Sequence, residues 1–225
     1  MRRYIASDFH NGNEVTDYSR VMSFLDLVDS DADEFLILGD WLELFFSNLN
    51  IVTTVSPYKD IIQKVRAIAS KKPTKLILGN HSWNLGLFKS YIEPVQIVTP
   101  FSENGVYYTH GYSEFDWLSF YVGTPVDPIY WQVAFPFVFP WAFPIWLATR
   151  VWAKAEDTYY WGIALIHERA RSYAVKKGYH TIVFGHTHYP VDEVRGGIRL
   201  INVGDALDSY SYAIEEDGNI KLGYF

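Results

Sequence analysis

Short apolar runs along the chain alternate with segments in which apolar side chains recur at helical spacing. The runs predict five strands, at residues 3–7, 35–38, 75–78, 106–109 and 181–184. The spacing predicts a helix from Asp17, and a second helix capped by Ser56 with Lys71-Lys72 at its C-terminal end. Turns at Gly196-Gly197 and Asp217-Gly218 predict hairpins near the end of the chain. Strands that alternate with helices are typical of an α/β fold.

Each predicted strand is followed directly by side chains of the kind that bind metal ions. These side chains are Asp8 and His10, Asp40, Asn80 and His81, His110, and His186 and His188. Because ligands of α/β sheets bind at the carboxyl ends of the strands, we expect these side chains to share one small volume. His186 and His188 stand one residue apart, so both imidazoles point the same way along an extended segment. Each residue alone is more often structural, but together the strand ends predict a metal site.

Composition narrows the possible chemistry and partners. The chain has 225 residues, of which 49% are hydrophobic and 20% charged, so we expect one globular domain that can carry a sizeable insertion. It contains no cysteine, so any metal must be held by His, Asp, Glu, Asn or backbone oxygen. The net charge of −7 argues against non-specific binding of nucleic acid. The apolar run at the start is far too short for a signal peptide, which predicts a cytoplasmic location.

The order of the strand-end motifs resembles that of the calcineurin-like metallophosphoesterases. The matching segments are D-x-H at residues 8–10, G-D at 39–40, G-N-H at 79–81, H-G at 110–111 and G-H-x-H at 185–188. The resemblance implies a four-layer α-β-β-α sandwich and a metal-dependent hydrolase of phosphoric esters or diphosphates. It also implies two divalent metal ions. We expect Mn²⁺, although oxygen and imidazole ligands also suit Fe and Zn²⁺.

The resemblance also implies a role for each strand-end residue. Carried over from the family, the first metal ion would be held by Asp8, His10, Asp40 and His188. The second would be held by Asp40, Asn80, His110 and His186, so that Asp40 bridges the pair. The two ions would clamp the phosphoryl group, and a hydroxide bridging them would attack phosphorus in line with the leaving oxygen. His81 would not bind metal but would assist near the leaving group, a role that typically contributes ~10²–10⁴-fold.

Two positions near His81 depart from or match the family pattern. The family commonly has an acidic residue directly after G-N-H, whereas this chain has Ser82, so a carboxylate that could orient His81 is missing there. Glu43, three residues after Asp40, matches a frequent acidic position of the family. We expect Glu43 to lie behind the ligands or at a helix start rather than to bind metal.

The segment between His110 and the fifth strand is longer than a simple connection and is unusually aromatic. Residues 115–161 contain six of the eight tryptophans, and residues 128–149 form an uncharged run of 22 interrupted by prolines. Those prolines would break a membrane-spanning helix, whereas Trp and Tyr favour a membrane interface. Six basic residues against three acidic ones over residues 128–178 suit an anionic surface. We expect a helical insertion over residues 112–178, with Asp157 or Thr158 capping a helix that runs to Gly178.

This plan resembles the UDP-2,3-diacylglucosamine diphosphatases, peripheral membrane enzymes with a helical lid between the H-G and G-H-x-H motifs. The segments that carry the likeness are L-G-D-W at residues 38–41 and G-H-T-H-Y-P at 185–190, although that group usually has Arg in place of His81. We therefore expect a single domain, residues 1–225, that acts on a lipid-linked phosphoester or pyrophosphate at the inner face of the membrane.

Two other hypotheses remain open at this point. In the first hypothesis, the protein is a soluble phosphodiesterase or nucleotide phosphatase, and its aromatic insertion packs against the core or a second subunit. Alternatively, it is a non-catalytic scaffold, although the presence of His81 and of every ligand position argues against this.

Overall fold

The computed structural model describes residues 1–13, 16–44, 47, 49–115 and 156–225. The strands are β1 (Arg2–Ala6), β2 (Glu34–Ile37), β3 (Thr74–Ile77), β4 (Gln96–Val98), β5 (Phe101–Glu103), β6 (Val106–Tyr108), β7 (Thr181–Phe184), β8 (Val191–Arg195), β9 (Ile198–Asn202), β10 (Ser211–Glu216) and β11 (Asn219–Tyr224). The helices are α1 (Tyr18–Asp31), α2 (Leu49–Thr54), α3 (Tyr58–Ala69) and α4 (Glu156–Lys177), with a 3-10 helix at Trp83–Tyr91.

The strands form two sheets that pack face to face. One sheet has the order β11-β10-β1-β2-β3-β4 and the other has the order β5-β6-β7-β9-β8. β1, β2, β3 and β4 run parallel, as do β6, β7 and β9, whereas β10, β11, β5 and β8 pair antiparallel with their neighbours. All five predicted strands are present. The three-residue strands β4 and β5 were not predicted, because runs of that length show no measurable periodicity.

Alternating side chains of the central strands supply different layers of the core. On β1, Tyr4 packs with α1 and α3 on the outer face of the six-stranded sheet, whereas Ile5 packs between the two sheets. Ala170 and Ala174 of α4 cover the outer face of the five-stranded sheet. Full burial of a large apolar side chain stabilises a fold by ~1.5–3 kcal/mol. These contacts establish the predicted mixed α/β sandwich, with helices on both outer faces of the paired sheets.

The helix ends differ partly from expectation. The helix predicted from Asp17 is α1, which begins at Tyr18. Asp17 caps this helix, because its Oδ1 accepts hydrogen bonds from the backbone N–H groups of Ser19 at 3.1 Å and Arg20 at 3.2 Å. The prediction for Ser56 is wrong, because α3 begins at Tyr58 and Pro57 holds its N-cap position without a side-chain hydrogen bond.

Lys72 also serves a different helix from the predicted one. Its Nζ donates to the backbone carbonyls of Val28 at 3.0 Å, Asp29 at 2.8 Å and Ala32 at 2.6 Å. These carbonyls lie at the C-terminal end of α1, where a cation is favourable. The expected pairing of charge with a helix end is therefore present, but it joins α3 to the neighbouring helix.

Both predicted hairpins are present in the C-terminal part of the chain. β8 and β9 are joined through Gly196-Gly197, and β10 and β11 are joined through Asp217-Gly218. Residues at both turns have positive φ, which glycine adopts without the steric penalty of a Cβ atom.

The predicted insertion, residues 112–178, lies largely outside the described residues. Its described part includes α4, which ends at Lys177 before Gly178, as expected. Asp157 and Thr158 lie inside α4 rather than before it, so the prediction that either caps the helix is wrong. Within the described ranges, no helix is both long enough and apolar enough to cross a bilayer.

Candidate metal centre

The carboxyl ends of the parallel strands from both sheets meet at one place. The backbone N–H of His186, after β7, donates to Asp8 Oδ2, after β1, at 2.9 Å. In the same way, His110 after β6 bonds through Nδ1 to the carbonyl oxygen of Leu38 after β2, at 2.7 Å. These bonds join the two sheets directly at the residues that follow their strands.

The backbone turns sharply at these strand ends. Five of the strand-end residues have positive φ, namely Asp8 (54°), His10 (44°), Asp40 (46°), His186 (69°) and His188 (57°). Each such residue costs about 1–3 kcal/mol because its Cβ is crowded, and such strain persists only where the surroundings hold it. Backbone bonds supply that restraint, for example from His10 N to the Asp40 carbonyl at 2.9 Å. Strained non-glycine residues concentrated at one place are a feature of functional sites.

The glycines of the motifs allow close approach between strand ends. A Cβ at Gly79 would lie 2.1 Å from Asp40 Oδ1. A Cβ at Gly185 would lie 2.0 Å from Ser7 Oγ and 2.5 Å from Asp8 Oδ2. Any larger residue would therefore push apart the side chains that the motifs bring together.

The strand-end residues singled out from the sequence lie close together. Potential ligand atoms lie within 4.8 Å of one another in three overlapping sets, namely Asp8, His10 and His188; His10, Asp40 and His81; and Asp8, Asp40 and His110. Asn80 Oδ1 lies 3.1 Å from His110 Nε2, and the His186 ring is centred 5.1 Å from the His110 ring. The expected shared volume is present, while the assignment of individual residues to metal ions stays a prediction.

Each of three histidines forms a hydrogen bond on the side of its ring away from the shared volume, and this bond fixes which ring nitrogen faces that volume. His10 Nδ1 lies 2.8 Å from Glu43 Oε2, and His188 Nδ1 lies 2.8 Å from Asp205 Oδ2. Carboxylates and backbone carbonyls only accept, so these Nδ1 atoms and that of His110 carry the protons. The Nε2 atoms therefore point inward. A carboxylate or carbonyl behind an imidazole is the usual arrangement around metal-binding histidines.

The inward-facing atoms form a set that fits a cation. His10 Nε2 and His188 Nε2 are 3.2 Å apart, and His188 Nε2 is 3.2 Å from Asp8 Oδ1. Asp8 Oδ1 is buried and receives no hydrogen bond of acceptable geometry from the part of the chain that the structure describes. Three acceptors this close repel one another unless a proton or a metal ion lies between them. Oxygen and imidazole ligands without thiolate suit Mn²⁺, Fe or Zn²⁺, so the residues present fit a divalent metal.

The pKa values of the site residues without metal also indicate that the site binds positive charge. Burial lowers the pKa of His188, but Asp8 and Asp205 outweigh burial and raise it to about 9. Burial raises the pKa of Asp40, but neighbouring protonated histidines, His110 first among them, outweigh it and lower the pKa to about 2. Without metal, protons on the histidines balance the carboxylates, and a bound cation would take their place.

Glu43 connects His81 to the rest of the centre. Glu43 Oε1 and Oε2 both lie 2.9 Å from His81 Nδ1, while Oε2 also contacts His10. Glu43 is buried, which raises its pKa, but His81 and His10 outweigh burial and hold the pKa well below its usual value. The carboxylate missing at Ser82 is therefore supplied by Glu43, and Glu43 lies behind the ligands, as expected.

Sequence reasoning missed Asp205, the carboxylate behind His188. The turn at Gly196-Gly197 predicted only a hairpin there. The largely apolar run that follows, residues 198–203, ends in Gly204-Asp205, the same Gly-Asp pair that follows β2 at residues 39–40. That pair at the end of an apolar run was the signal that could have identified Asp205. Its partner lies on another strand end, so only the fold reveals its role.

Comparison with known proteins identifies the family. The family model for calcineurin-like phosphoesterases matches residues 1–190, which contain every strand-end motif. This chain belongs to the calcineurin-like phosphoesterases. It is therefore a metal-dependent hydrolase of phosphoesters, and the fold and candidate ligands agree with this.

Solved structures are similar to this calcineurin-like phosphoesterase at low sequence identity. A novel archaeal phosphodiesterase is 13% identical, with 100% of both chains covered and a TM-score of 0.53. The phosphoesterase YfcE from E. coli is 17% identical, covering 96% of this chain and 89% of its own, with a TM-score of 0.48. The Pseudomonas putida nuclease MPE is 13% identical, and the match covers 98% of this chain and 86% of the nuclease, with a TM-score of 0.45. A comparison with curated protein sequences found no match.

Proposed function

We propose that this phosphoesterase uses a dinuclear metal centre at the strand ends to hydrolyse a phosphoester or pyrophosphate bond in a lipid-linked substrate. The observation that supports the centre most strongly is the convergence of His10 Nε2, His188 Nε2 and Asp8 Oδ1 within a few ångströms, with each Nδ1 held from behind. When bound, divalent ions would polarise the phosphoryl oxygens and favour attack by water.

The ligands divide between two positions. The first position is formed by Asp8, His10, Asp40 and His188, and the second by Asp40, Asn80, His110 and His186. Asp40 belongs to both, since its Oδ2 is 3.2 Å from His110 Nε2 and it shares one ligand set with His10. Mn²⁺ is the metal we expect at both positions.

His81 is the residue that assists the leaving group. This role is supported by its backbone N–H, which donates to Asp40 Oδ1 at 2.8 Å, and by its side chain, which is 22% exposed, so that substrate can reach it. Hydroxide attacks phosphorus, the bond from phosphorus to the leaving oxygen breaks, and His81 donates a proton to that oxygen. Glu43 holds the ring while the proton is transferred.

The lipid-linked substrate rests on the character of residues 115–161. This segment concentrates six of the eight tryptophans around an uncharged run, which suits an interface with lipid. The likeness of the L-G-D-W and G-H-T-H-Y-P segments to UDP-2,3-diacylglucosamine diphosphatases supports an acylated sugar nucleotide. The enzyme would then act while bound peripherally to the inner face of the membrane.

A substrate panel with Mn²⁺ tests the substrate class. It compares a diacylated sugar nucleotide, a CDP-linked lipid, the matching nucleotide sugar without acyl chains, and a plain phosphodiester. We expect kcat/KM to be highest for an acylated pyrophosphate. Activity on the plain esters alone would support a soluble phosphodiesterase instead, and metal binding without hydrolysis of any member would support a scaffold.

Flotation with liposomes tests the membrane contact. We expect the protein to float with vesicles that contain anionic lipid and to float less after residues 128–149 are deleted. Phosphodiesterase activity of the deleted form on a water-soluble ester provides the control for folding. Binding that is absent, or that is unchanged by the deletion, would exclude the membrane contact.

A further inference from the structure

The turn between β9 and β10 holds a carboxylate against the proposed metal centre. Asp205 is completely buried, and its Oδ2 lies 2.8 Å from His188 Nδ1. The next residue, Ala206, donates its backbone N–H to the Asp8 carbonyl oxygen at 3.2 Å. The turn therefore contacts two residues of the first metal position, from the side away from the metal.

The other oxygen of the Asp205 carboxylate is held by the turn itself. Asp205 Oδ1 accepts hydrogen bonds from Ser209 N at 2.8 Å, Ser209 Oγ at 2.9 Å, Asp208 N at 3.0 Å and Leu207 N at 3.3 Å. Four donors on one oxygen fix the orientation of the carboxylate, so the second oxygen can point only towards His188. A charged acceptor forms shorter and stronger bonds than a neutral one.

We propose that Asp205 is a positioning residue that keeps the proton of His188 on Nδ1 and so presents Nε2 to the first metal ion. This proposal rests on the dinuclear centre described above. The turn at residues 204–211 then serves to hold one carboxylate in place. Only a carboxylate can accept from the four turn donors with one oxygen and from His188 with the other.

An asparagine at position 205 could accept hydrogen bonds either from the turn or from His188, but not from both. In Asp205→Asn, the single amide oxygen is drawn to the four donors of the turn, which leaves the NH₂ group facing His188 Nδ1. His188 would then accept at Nδ1 and carry its proton on Nε2, where it blocks metal binding. Changes behind a metal-binding histidine typically weaken metal affinity by ~10–100-fold.

The experiment is a zinc titration of the metal-free protein in competition with a chromophoric chelator. We expect two Zn²⁺ ions per wild-type chain, and we expect Asp205→Asn to weaken one of them by ~10–100-fold while leaving the other unchanged. Asp208→Asn is the matched control, because it removes the same charge from an exposed residue of the same turn. Equal zinc affinity in Asp205→Asn and wild type, or equal weakening in Asp208→Asn, would overturn the proposal.

A spectroscopic readout separates positioning from a general structural role. In zinc-loaded protein labelled with ¹⁵N-histidine, the wild type should show His188 with a protonated Nδ1 and a zinc-shifted Nε2, and Asp205→Asn should lose the zinc shift. Should Asp205→Asn fail to fold, Ser209→Ala takes its place, because it removes one donor to Oδ1 and keeps the carboxylate. A folded Ser209→Ala should weaken the same ion to a smaller extent, and unchanged affinity would overturn the proposal.

His188→Ala distinguishes failure of this proposal from failure of the metal centre. Should His188→Ala weaken one zinc ion while Asp205→Asn does not, the centre stands and the role of Asp205 is wrong. Should His188→Ala bind zinc as the wild type does, the assignment of His188 to the centre is wrong, and the role of Asp205 is overturned with it.

Discussion

Two buried polar clusters lie at opposite ends of β1, and they differ in how their charges are balanced. At the amino end, Arg3 is 2% exposed and is surrounded by Glu34, Glu103 and Glu215, a set that we call the Arg3 cluster. At the carboxyl end are the metal-centre residues that follow the strands. Both clusters are held by tertiary contacts between the two sheets.

Every carboxylate of the Arg3 cluster faces the Arg3 guanidinium. Guanidinium nitrogens of Arg3 lie 3.0 Å from Glu34 Oε2, 2.9 Å from Glu103 Oε2 and 2.8 Å from Glu215 Oε2. Tyr108 also donates its hydroxyl to Glu215 at 2.8 Å. Burial lowers the pKa of Arg3, but the glutamates outweigh burial and hold it above its usual value. Lys75 Nζ also lies 2.7 Å from Glu34 Oε1. Each of the three glutamates therefore faces a basic side chain, which is the pattern of a structural ion-pair network.

The metal centre is not balanced in this way. Its inward-facing atoms are carboxylate oxygens and imidazole Nε2 atoms, so acceptors face acceptors unless protons or a metal ion lie between them. The comparison shows that buried charge alone does not identify a functional site. The informative feature is a buried set of acceptors that the protein's own fixed donors do not satisfy.

The largest expected effect comes from Asp40→Asn, which changes the residue common to both proposed metal positions. We expect kcat/KM to fall by more than the ~10²–10⁴-fold anticipated for loss of a general acid, because both ions lose a charged ligand. Steady-state kinetics with Mn²⁺ measures this, and an unchanged circular dichroism spectrum shows that the fold is intact. Substantial remaining activity would show that Asp40 does not bridge the centre.

His81→Ala should have the next largest effect, and its size should depend on the leaving group. We expect kcat to fall by ~10²–10⁴-fold for an alkyl leaving group, which needs a proton, and by less for a nitrophenyl group, which leaves as an anion. Metal content should equal that of the wild type. The same loss for both leaving groups would contradict proton donation by His81.

Arg3→Met should reduce stability without affecting metal binding. It removes the guanidinium from the buried Glu34, which keeps only Lys75 at 2.7 Å, and breaking a buried ion pair typically costs ~3–5 kcal/mol. Urea unfolding measures the loss, and zinc titration should match the wild type. Arg2→Met is the matched control, because Arg2 forms exposed ion pairs with Asp31 and Glu216 and its loss should cost far less. An equal cost for the two variants would contradict the distinction.

The smallest expected effect is a pair of opposite pH trends. The stability of the metal-free protein should fall as pH rises, whereas the affinity for metal should rise. The pKa of His188 is raised to about 9 without metal, so its contribution to stability is complete below pH 6.5 and is lost as pH rises towards 9. Metal binding displaces that proton, so metal affinity should rise over the same range. Unfolding with a chelator present and calorimetric metal titration measure the two trends. Metal-free stability that does not change between pH 6.5 and 9 would contradict the charged state of His188.

Local pattern was sufficient for five of the strands and for the residues that follow them. β1, β2, β3, β6 and β7 are all where apolar runs predicted, because burial on both faces requires a continuous apolar run. The prediction that Ser56 caps α3 was wrong, because Pro57 occupies the N-cap position of this helix. The positive φ values at Asp8 and His10 had no signal in the sequence, since neither residue type requires that conformation.

The sequence by itself determined which chemical groups stand at the ends of the strands, because side-chain identity and strand periodicity are local properties. The tertiary structure alone decided which nitrogen of each imidazole faces the centre. Glu43 lies 33 residues from His10, and Asp205 lies 17 residues from His188, so these pairs form only when the strand ends meet. The choice of hydrogen-bond partner is a property of the assembled sheets, and it is this choice that turns a row of acceptors inward to receive a cation.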